Sequence, residues 1–417
     1  MLYWLSDIFD IRLFQYLTFR AGLAVLIALM ITLVFGKNII QLIKKMQIIE
    51  KQRALGLPGE DLKSKTPTMG GLMILMAILL PCILLADLSN IYIQLMLLTT
   101  VFMGLVGFVD DYLKLTKGKD GLAGRYKILG QVLLGGIIGA VMIFHDDVVV
   151  RVDQATIDAY DYEVVRTIDV ERLARNSDGS KSTYQETMYH VKTTMTNVPF
   201  LKGNEFDYQY FMWFLGDNAR HWVWLVFIPI IIIIMVNVSN AANLTDGIDG
   251  LAAGTSAIIG AVLGLFAYVS GNTILAEYLG VLYVPNVGEL VVFSACFLGA
   301  CIGFLWYNAY PAEVFMGDTG SLALGGIIAA LAILIRKELL IPLLCGIFVI
   351  ENLSVIMQVS YFKYTRKKTG TGQRIFLMSP LHHHYQKKGM HESKIVARFW
   401  IVGVILAVLT IITLKVR

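Results

Sequence analysis

Five aspartates carry the chemical interest of this chain. Asp110 and Asp111 close the apolar run Val101–Val109, and Asp246 and Asp249 lie in Asn243-Leu244-Thr245-Asp246-Gly247-Ile248-Asp249-Gly250. Asp318 lies in Phe315-Met316-Gly317-Asp318-Thr319-Gly320-Ser321, and none of the five has a Lys or Arg beside it in its own motif. Such acids have two ordinary uses. Asp246 and Asp318 precede helical segments and could cap them. Gathered together, the carboxylates would repel one another unless a cation lay among them, and aspartate oxygens suit Mg²⁺ or Mn²⁺. Mg²⁺ in particular takes one or two carboxylates plus substrate phosphates. Around these acids, Lys63, Lys65, Lys114, Lys119, Arg125, Lys127 and Arg374 are available to an anionic substrate or to lipid headgroups. Thr66-Pro67-Thr68-Met69-Gly70-Gly71 and Gly317–Ser321 place glycine and hydroxyl residues at helix starts, where free N–H groups hold phosphate. Close packing between membrane helices is the competing use of those glycines. His382-His383-His384 sits on a basic stretch read as an irregular loop, where metal binding is one option and phosphate contact or proton transfer near neutral pH fits at least as well.

The elements that must position these residues follow from composition. Of 417 residues, 56% are hydrophobic and 16% charged, against roughly 25% charged in soluble domains, so water is not the only solvent. That excludes an ordinary cytosolic enzyme, a secreted disulfide scaffold and a nucleic-acid-binding protein; a net charge of +4 says little here. Cys82, Cys296, Cys301 and Cys345 lie in apolar segments without metal-ligand spacing and read as packing residues. Crossing a bilayer takes about 20 apolar residues. Ten segments qualify: Leu17–Phe35, Met69–Ala86, Ile91–Val109, Ile128–Phe144, Trp222–Val238, Leu251–Ser270, Leu290–Tyr307, Ser321–Ile335, Leu339–Tyr361 and Phe399–Leu414. The first leads into a basic stretch with no cleavage pattern and reads as a span, not a signal peptide. Lys and Arg crowd the connections after spans one, three and nine, which places both termini outside and all five aspartates at the cytoplasmic face.

The expected fold is therefore an all-α polytopic membrane protein of ten transmembrane helices. Residues 1–144 hold four spans and 222–417 hold six, with a small external β-rich insert at 145–221. Val148-Val149-Val150, Tyr162–Ile168 and Tyr184–Thr194 are its strand candidates, and Asn176-Ser177-Asp178-Gly179 is a turn. A structural or dimer-contact role is expected of it.

Together the motifs resemble the polyprenyl-phosphate N-acetylhexosamine-1-phosphate transferase superfamily, and within it most closely the phospho-N-acetylmuramoyl-pentapeptide transferases. The matching text is TPTMGG (66–71), GFVDD (107–111), SNAANLTDGIDGLA (239–252), WYNAYPAEVFMGDTGSL (306–322) and MSPLHHHY (378–385). The resemblance implies transfer of phospho-N-acetylmuramoyl-pentapeptide from a UDP carrier to undecaprenyl phosphate, giving lipid I and UMP. It further implies Mg²⁺ dependence, a homodimer, and a multi-pass place in the bacterial inner membrane. Asp318 resembles the metal ligand, Asp110 and Asp111 the pair near the lipid phosphate, and Asp246 an essential acid. Asp249 and Phe315 resemble the uracil-recognition residues. Lys63, Thr68, Lys127, Asn240, Asn243 and Asn308 match substrate-binding positions. His382, His383 and His384 match the loop beside the nucleotide, with His383 catalytic. Direct displacement and a covalent phospho-aspartate route both fit these residues. Two other readings stand beside this one. A sister enzyme would move GlcNAc-1-phosphate to the same lipid, and PAEVFMGDTGS with PLHHHY argues for the muramoyl substrate. An ion-coupled transporter would carry its acids at mid-span; only Glu351 lies there, and it has no assigned role.

Overall fold

The computed structural model describes residues 12–45, 66–117, 121–160, 162–175, 181–199 and 205–415. The first half of the membrane body is α1 (Leu17–Lys45), α2 (Gly71–Leu85), α3 (Ile91–Lys117) and α4 (Gly124–Phe144). The insert then runs β1 (Val150–Val152), α5 (Gln154–Tyr160), β2 (Glu163–Arg175), β3 (Lys181–Lys192), β4 (Met195–Asn197) and β5 (Glu205–Asp207). The second half comprises α6 (Trp224–Thr245), α7 (Leu251–Ser270), α8 (Thr273–Leu279), α9 (Leu290–Asn308), α10 (Gly317–Leu334), α11 (Gly346–Thr369), α12 (Leu381–Lys387) and α13 (Glu392–Ile412).

Among the described residues, eight helices are long and apolar enough to cross a membrane. A ninth crossing arises if Glu338–Leu344 and α11 form one broken span, and α2 is a shorter apolar helix of 15 residues. The span expected without interruption over Leu339–Tyr361 is in fact bent by 78°. A short helix with Pro342 near its start ends at Cys345, whose backbone leaves the helical region, and α11 begins afresh at Gly346.

At the centre stands α10, buried continuously from Thr319 to Leu334 and packed by α3, α6, α2 and α7. Its residues are small (Ala323, Gly325, Gly326, Ala329, Ala330, Ala332), so neighbouring backbones approach closely, as membrane helices do without a hydrophobic drive between them. The outer helices α1 and α13 instead turn most of their apolar surface outward, toward lipid.

The insert has two antiparallel sheets. One is ordered β1-β3-β2, pairing Val164 with Val191 and Arg175 with Lys181; the other pairs β4 with β5. The strand candidates thus form strands, while the turn at 176–179 lies outside the described residues. The insert is fastened to the end of α10. Thr196 Oγ1 and the Asn197 N–H both donate to the Arg336 carbonyl at 3.1 Å, Lys337 donates to Asn197 Oδ1, and Tyr208 donates to Glu338 Oε1 at 3.0 Å.

Candidate active site

The site lies at the opposite end of α10 from the insert. Asp111, in the last turns of α3, points its carboxylate at the start of α10. Its Oδ1 accepts from the Asp318 N–H at 3.0 Å, and its Oδ2 accepts from the Thr319 N–H at 2.9 Å and the Thr319 hydroxyl at 2.6 Å. An α-helix leaves its first N–H groups without intrahelical partners, and here a second helix supplies the acceptor. The capping role expected of Asp246 and Asp318 is therefore misplaced. Asp246 ends α6, α10 has no side-chain cap of its own, and Asp318 lies within its first turn. The approach is possible because a Cβ at Gly107 would overlap the Asp318 carbonyl. The TPTMGG segment adds a backbone ladder. The Phe315 N–H donates to Pro67 O, Gly70 to Phe315 O and Gly71 to Met316 O, at 2.8–2.9 Å. Thr68 is buried against Gly317.

Oxygens of Asp110, Asp111 and Asp318 come within 4.8 Å of one another. The expectation that these acids lack compensation is corrected by the packing. Lys114 Nζ lies 2.8 Å from Asp110 and 3.3 Å from Asp318, one helical turn after Asp110 on α3. Lys127, at the start of α4, lies 2.5 Å from Asp318 and 3.0 Å from Asp110. Asn243 Nδ2 donates to Asp318 Oδ1 and to Ser321 Oγ, each at 2.9 Å, so α6 fixes the rotamer of Asp318. Asn240 does not join the cluster; it donates to Gln131 Oε1 at 2.8 Å, and Gln131 in turn reaches Ser239 at 3.3 Å. Sequence reasoning missed Gln131, although a lone glutamine in an apolar span was the available signal.

Asp246 stands outside the three-carboxylate set but within its field. Burial, and then the negative charges of Asp318, Asp111 and Asp249, hold its carboxyl well above the ordinary range. Asp249 and Asn308 tie two loops together. Asp249 Oδ2 accepts from the Ala312 N–H at 3.0 Å, while Asn308 accepts from the Gly250 N–H at 3.0 Å and donates to Val314 O at 2.9 Å. Phe315 is half-buried beside them. The three histidines belong to a short helix, α12, not an irregular loop. His382 is fully buried. Its N–H donates to Glu351 Oε1 and its Nδ1 faces Glu351 Oε2, both at 3.2 Å, which gives Glu351 the structural partner that sequence reading did not find. On its other side His382 touches Gly247, so the histidine and NLTDGIDG motifs meet. His383 hydrogen-bonds Gln386 at 2.6 Å, and His384 Nδ1 accepts from the Leu377 N–H at 3.1 Å. Lys63 lies outside the described residues.

Helix ends that gather carboxylates, ammonium groups and a helix N-terminus at one end of a membrane body define an integral-membrane enzyme built for anionic substrates. A family model described as Glycosyl transferase family 4 matches residues 186–336, and phospho-N-acetylmuramoyl-pentapeptide-transferase signature 1 matches residues 63–75. The chain is 54% identical over 425 residues to the phospho-N-acetylmuramoyl-pentapeptide-transferase of Flavobacterium psychrophilum, covering 100% of both. It is 49% identical over 441 residues to that of Parabacteroides distasonis, again covering 100% of both. The chain belongs to the phospho-N-acetylmuramoyl-pentapeptide-transferase family.

Proposed function

We propose that this protein transfers phospho-N-acetylmuramoyl-pentapeptide from its UDP carrier to undecaprenyl phosphate, releasing UMP and forming lipid I. The observation that carries the reading is the convergence of Asp110, Asp111 and Asp318 with Lys114 and Lys127. A lipid-borne phosphate and a soluble nucleotide must meet at a membrane boundary, and bringing two anions together depends on positioning and charge neutralisation. In this reading ten spans cross the bilayer, both termini lie outside, and the site faces the cytoplasm of the bacterial inner membrane, in a homodimer.

The donor set suits a divalent cation: its groups are carboxylate oxygens, and each of the three aspartates offers one within 4.8 Å of the others. Asp318, with Asp110 and Asp111 beside it, is the residue that would hold Mg²⁺, with Mn²⁺ an alternative. Such an ion supplies neutralisation of the pyrophosphate charge. Lys114 and Lys127, held beside the same carboxylates, are the cations that would contact phosphate oxygens. Asn243 keeps Asp318 oriented throughout. Phe315 offers a ring face for the uracil, and Asp249 flanks it. A phosphate monoester has a second pKa near ~6, so the lipid nucleophile is already largely ionised at neutral pH. Asp110 therefore orients it for a direct displacement. The test is UMP release by purified protein with undecaprenyl phosphate and Mg²⁺, comparing the muramoyl nucleotide with UDP-GlcNAc. Turnover with UDP-GlcNAc alone would transfer the assignment to the sister reaction. Net retention at a chiral β-phosphate would replace direct displacement by a covalent intermediate.

A further inference from the structure

Between the insert and α6 the chain runs through Tyr208–Asn218, a 3₁₀ segment kinked at Met212 and Gly216. Residues 208–216 read YQYFMWFLG, without a single charge. The segment has two sides. Tyr208 and Met212 are buried, and Tyr208 bonds Glu338 and meets the Phe227 ring edge-on at 5.3 Å. The other side is bare: Phe211 is 55% exposed, Trp213 79% and Phe214 63%. Packing has thus placed the largest apolar side chains of the segment away from the protein. A contiguous apolar surface of this kind marks an interaction site.

Its neighbours identify the occupant. Two residues after the segment ends the chain reaches Arg220, and from Ala219 onward it is one candidate membrane span. The exposed Trp222 and Leu225 continue the bare side directly onto the lipid-facing wall of α6, and Phe144 marks the same level at the end of α4. Aromatic side chains at the end of a span, uncharged from 208 to 216 and followed by Asp217 and Arg220, have the composition of the membrane–water boundary, where amphipathic rings rest at headgroup level. We propose that Phe211, Trp213, Phe214 and Trp222 form a ridge seated in the headgroup layer of the leaflet on the insert side. The insert is then held at two places, by hydrogen bonds to the end of α10 and by this ridge in lipid. The two-stranded β2–β3 hairpin extends from that base.

The test uses full-length protein in vesicles of phosphatidylethanolamine and phosphatidylglycerol. A nitroxide is placed on Trp213→Cys, with Thr167→Cys on the exposed hairpin as the aqueous reference and Ile233→Cys on the outer face of α6 as the lipid reference. The four native cysteines are buried and remain unlabelled. Collision rates with oxygen and with a water-soluble nickel chelate report depth. The expected result is a Trp213 label shielded from nickel several-fold relative to position 167, open to oxygen, and shallower than position 233. Nickel access equal to that at position 167 overturns the proposal. Shielding from both reagents also overturns it, since that is the signature of a protein surface, including a second copy of this chain. Where the cysteine variant fails to fold, Trp213→Phe supplies the readout. It should remove a fluorescence component quenched by lipids brominated high on the acyl chain, and unchanged quenching counts against the ridge.

Discussion

Two adjacent aspartates in this protein hold different jobs, and replacing each with asparagine separates them. Asp111 is buried and accepts three hydrogen bonds from the first turn of α10, one of them at 2.6 Å from the Thr319 hydroxyl. Asparagine keeps the shape but offers one acceptor oxygen and turns an NH₂ toward donors. Losing one hydrogen bond to a charged group costs about 1.5–3 kcal/mol. Losing the anion at a helix N-terminus costs up to about 2 kcal/mol in a partly buried setting. The two overlap, since both are the same field acting on the same oxygens, so the net loss is about 2–4 kcal/mol. At roughly 2 °C per kcal/mol for a large chain, the unfolding midpoint in detergent should fall by about 4–8 °C. Asp110 instead faces Lys114 and Lys127, which retain Asp318 when Asp110 is neutralised. Asp110→Asn should therefore shift the midpoint less, while kcat for UMP release falls by about 10²–10³-fold, the usual cost of removing a preorganised electrostatic group. Scanning fluorimetry and UMP release, the latter measured well below both midpoints, provide the comparison. An Asp111→Asn protein of unaltered midpoint and no activity would refute the capping role and make Asp111 the chemical residue.

Glu351→Gln keeps an acceptor for the His382 N–H but loses the charge facing Nδ1; turnover should drop about tenfold and amide exchange across 381–387 should rise, whereas unchanged exchange would show that Glu351 does not hold α12. Phe315→Ala should raise KM for the UDP-sugar about tenfold, within the ~1–3 kcal/mol of base–aromatic stacking, with kcat little altered; an unchanged KM argues against stacking. In the insert, burial and then Arg151 and Arg166 push His190 down to about 4. The unfolded imidazole titrates near 6.5, so its contribution is complete above that value and is lost as pH falls toward 4. Proteolysis of the hairpin should accelerate between about pH 7 and pH 4.5, and His190→Gln should flatten the dependence; parallel profiles would clear His190.

What was legible in the sequence is whatever depends on neighbouring residues. Apolar length marked the spans, β-branched runs marked the strands of the insert, and five short motifs marked the candidate site, because hydrophobic period and local composition act within a few residues. Tertiary structure decided the partners. Asp111 serves a helix some two hundred positions onward, Lys127 and Asn243 reach Asp318 from two further helices, and Glu351 of α11 finds His382 on α12, 31 positions on. These pairings rest on how closely helices can pack where Gly107 meets the start of α10 and Gly71 meets Gly320. No spacing along the chain encodes such an approach, since a small residue permits contact without naming the surface it will touch.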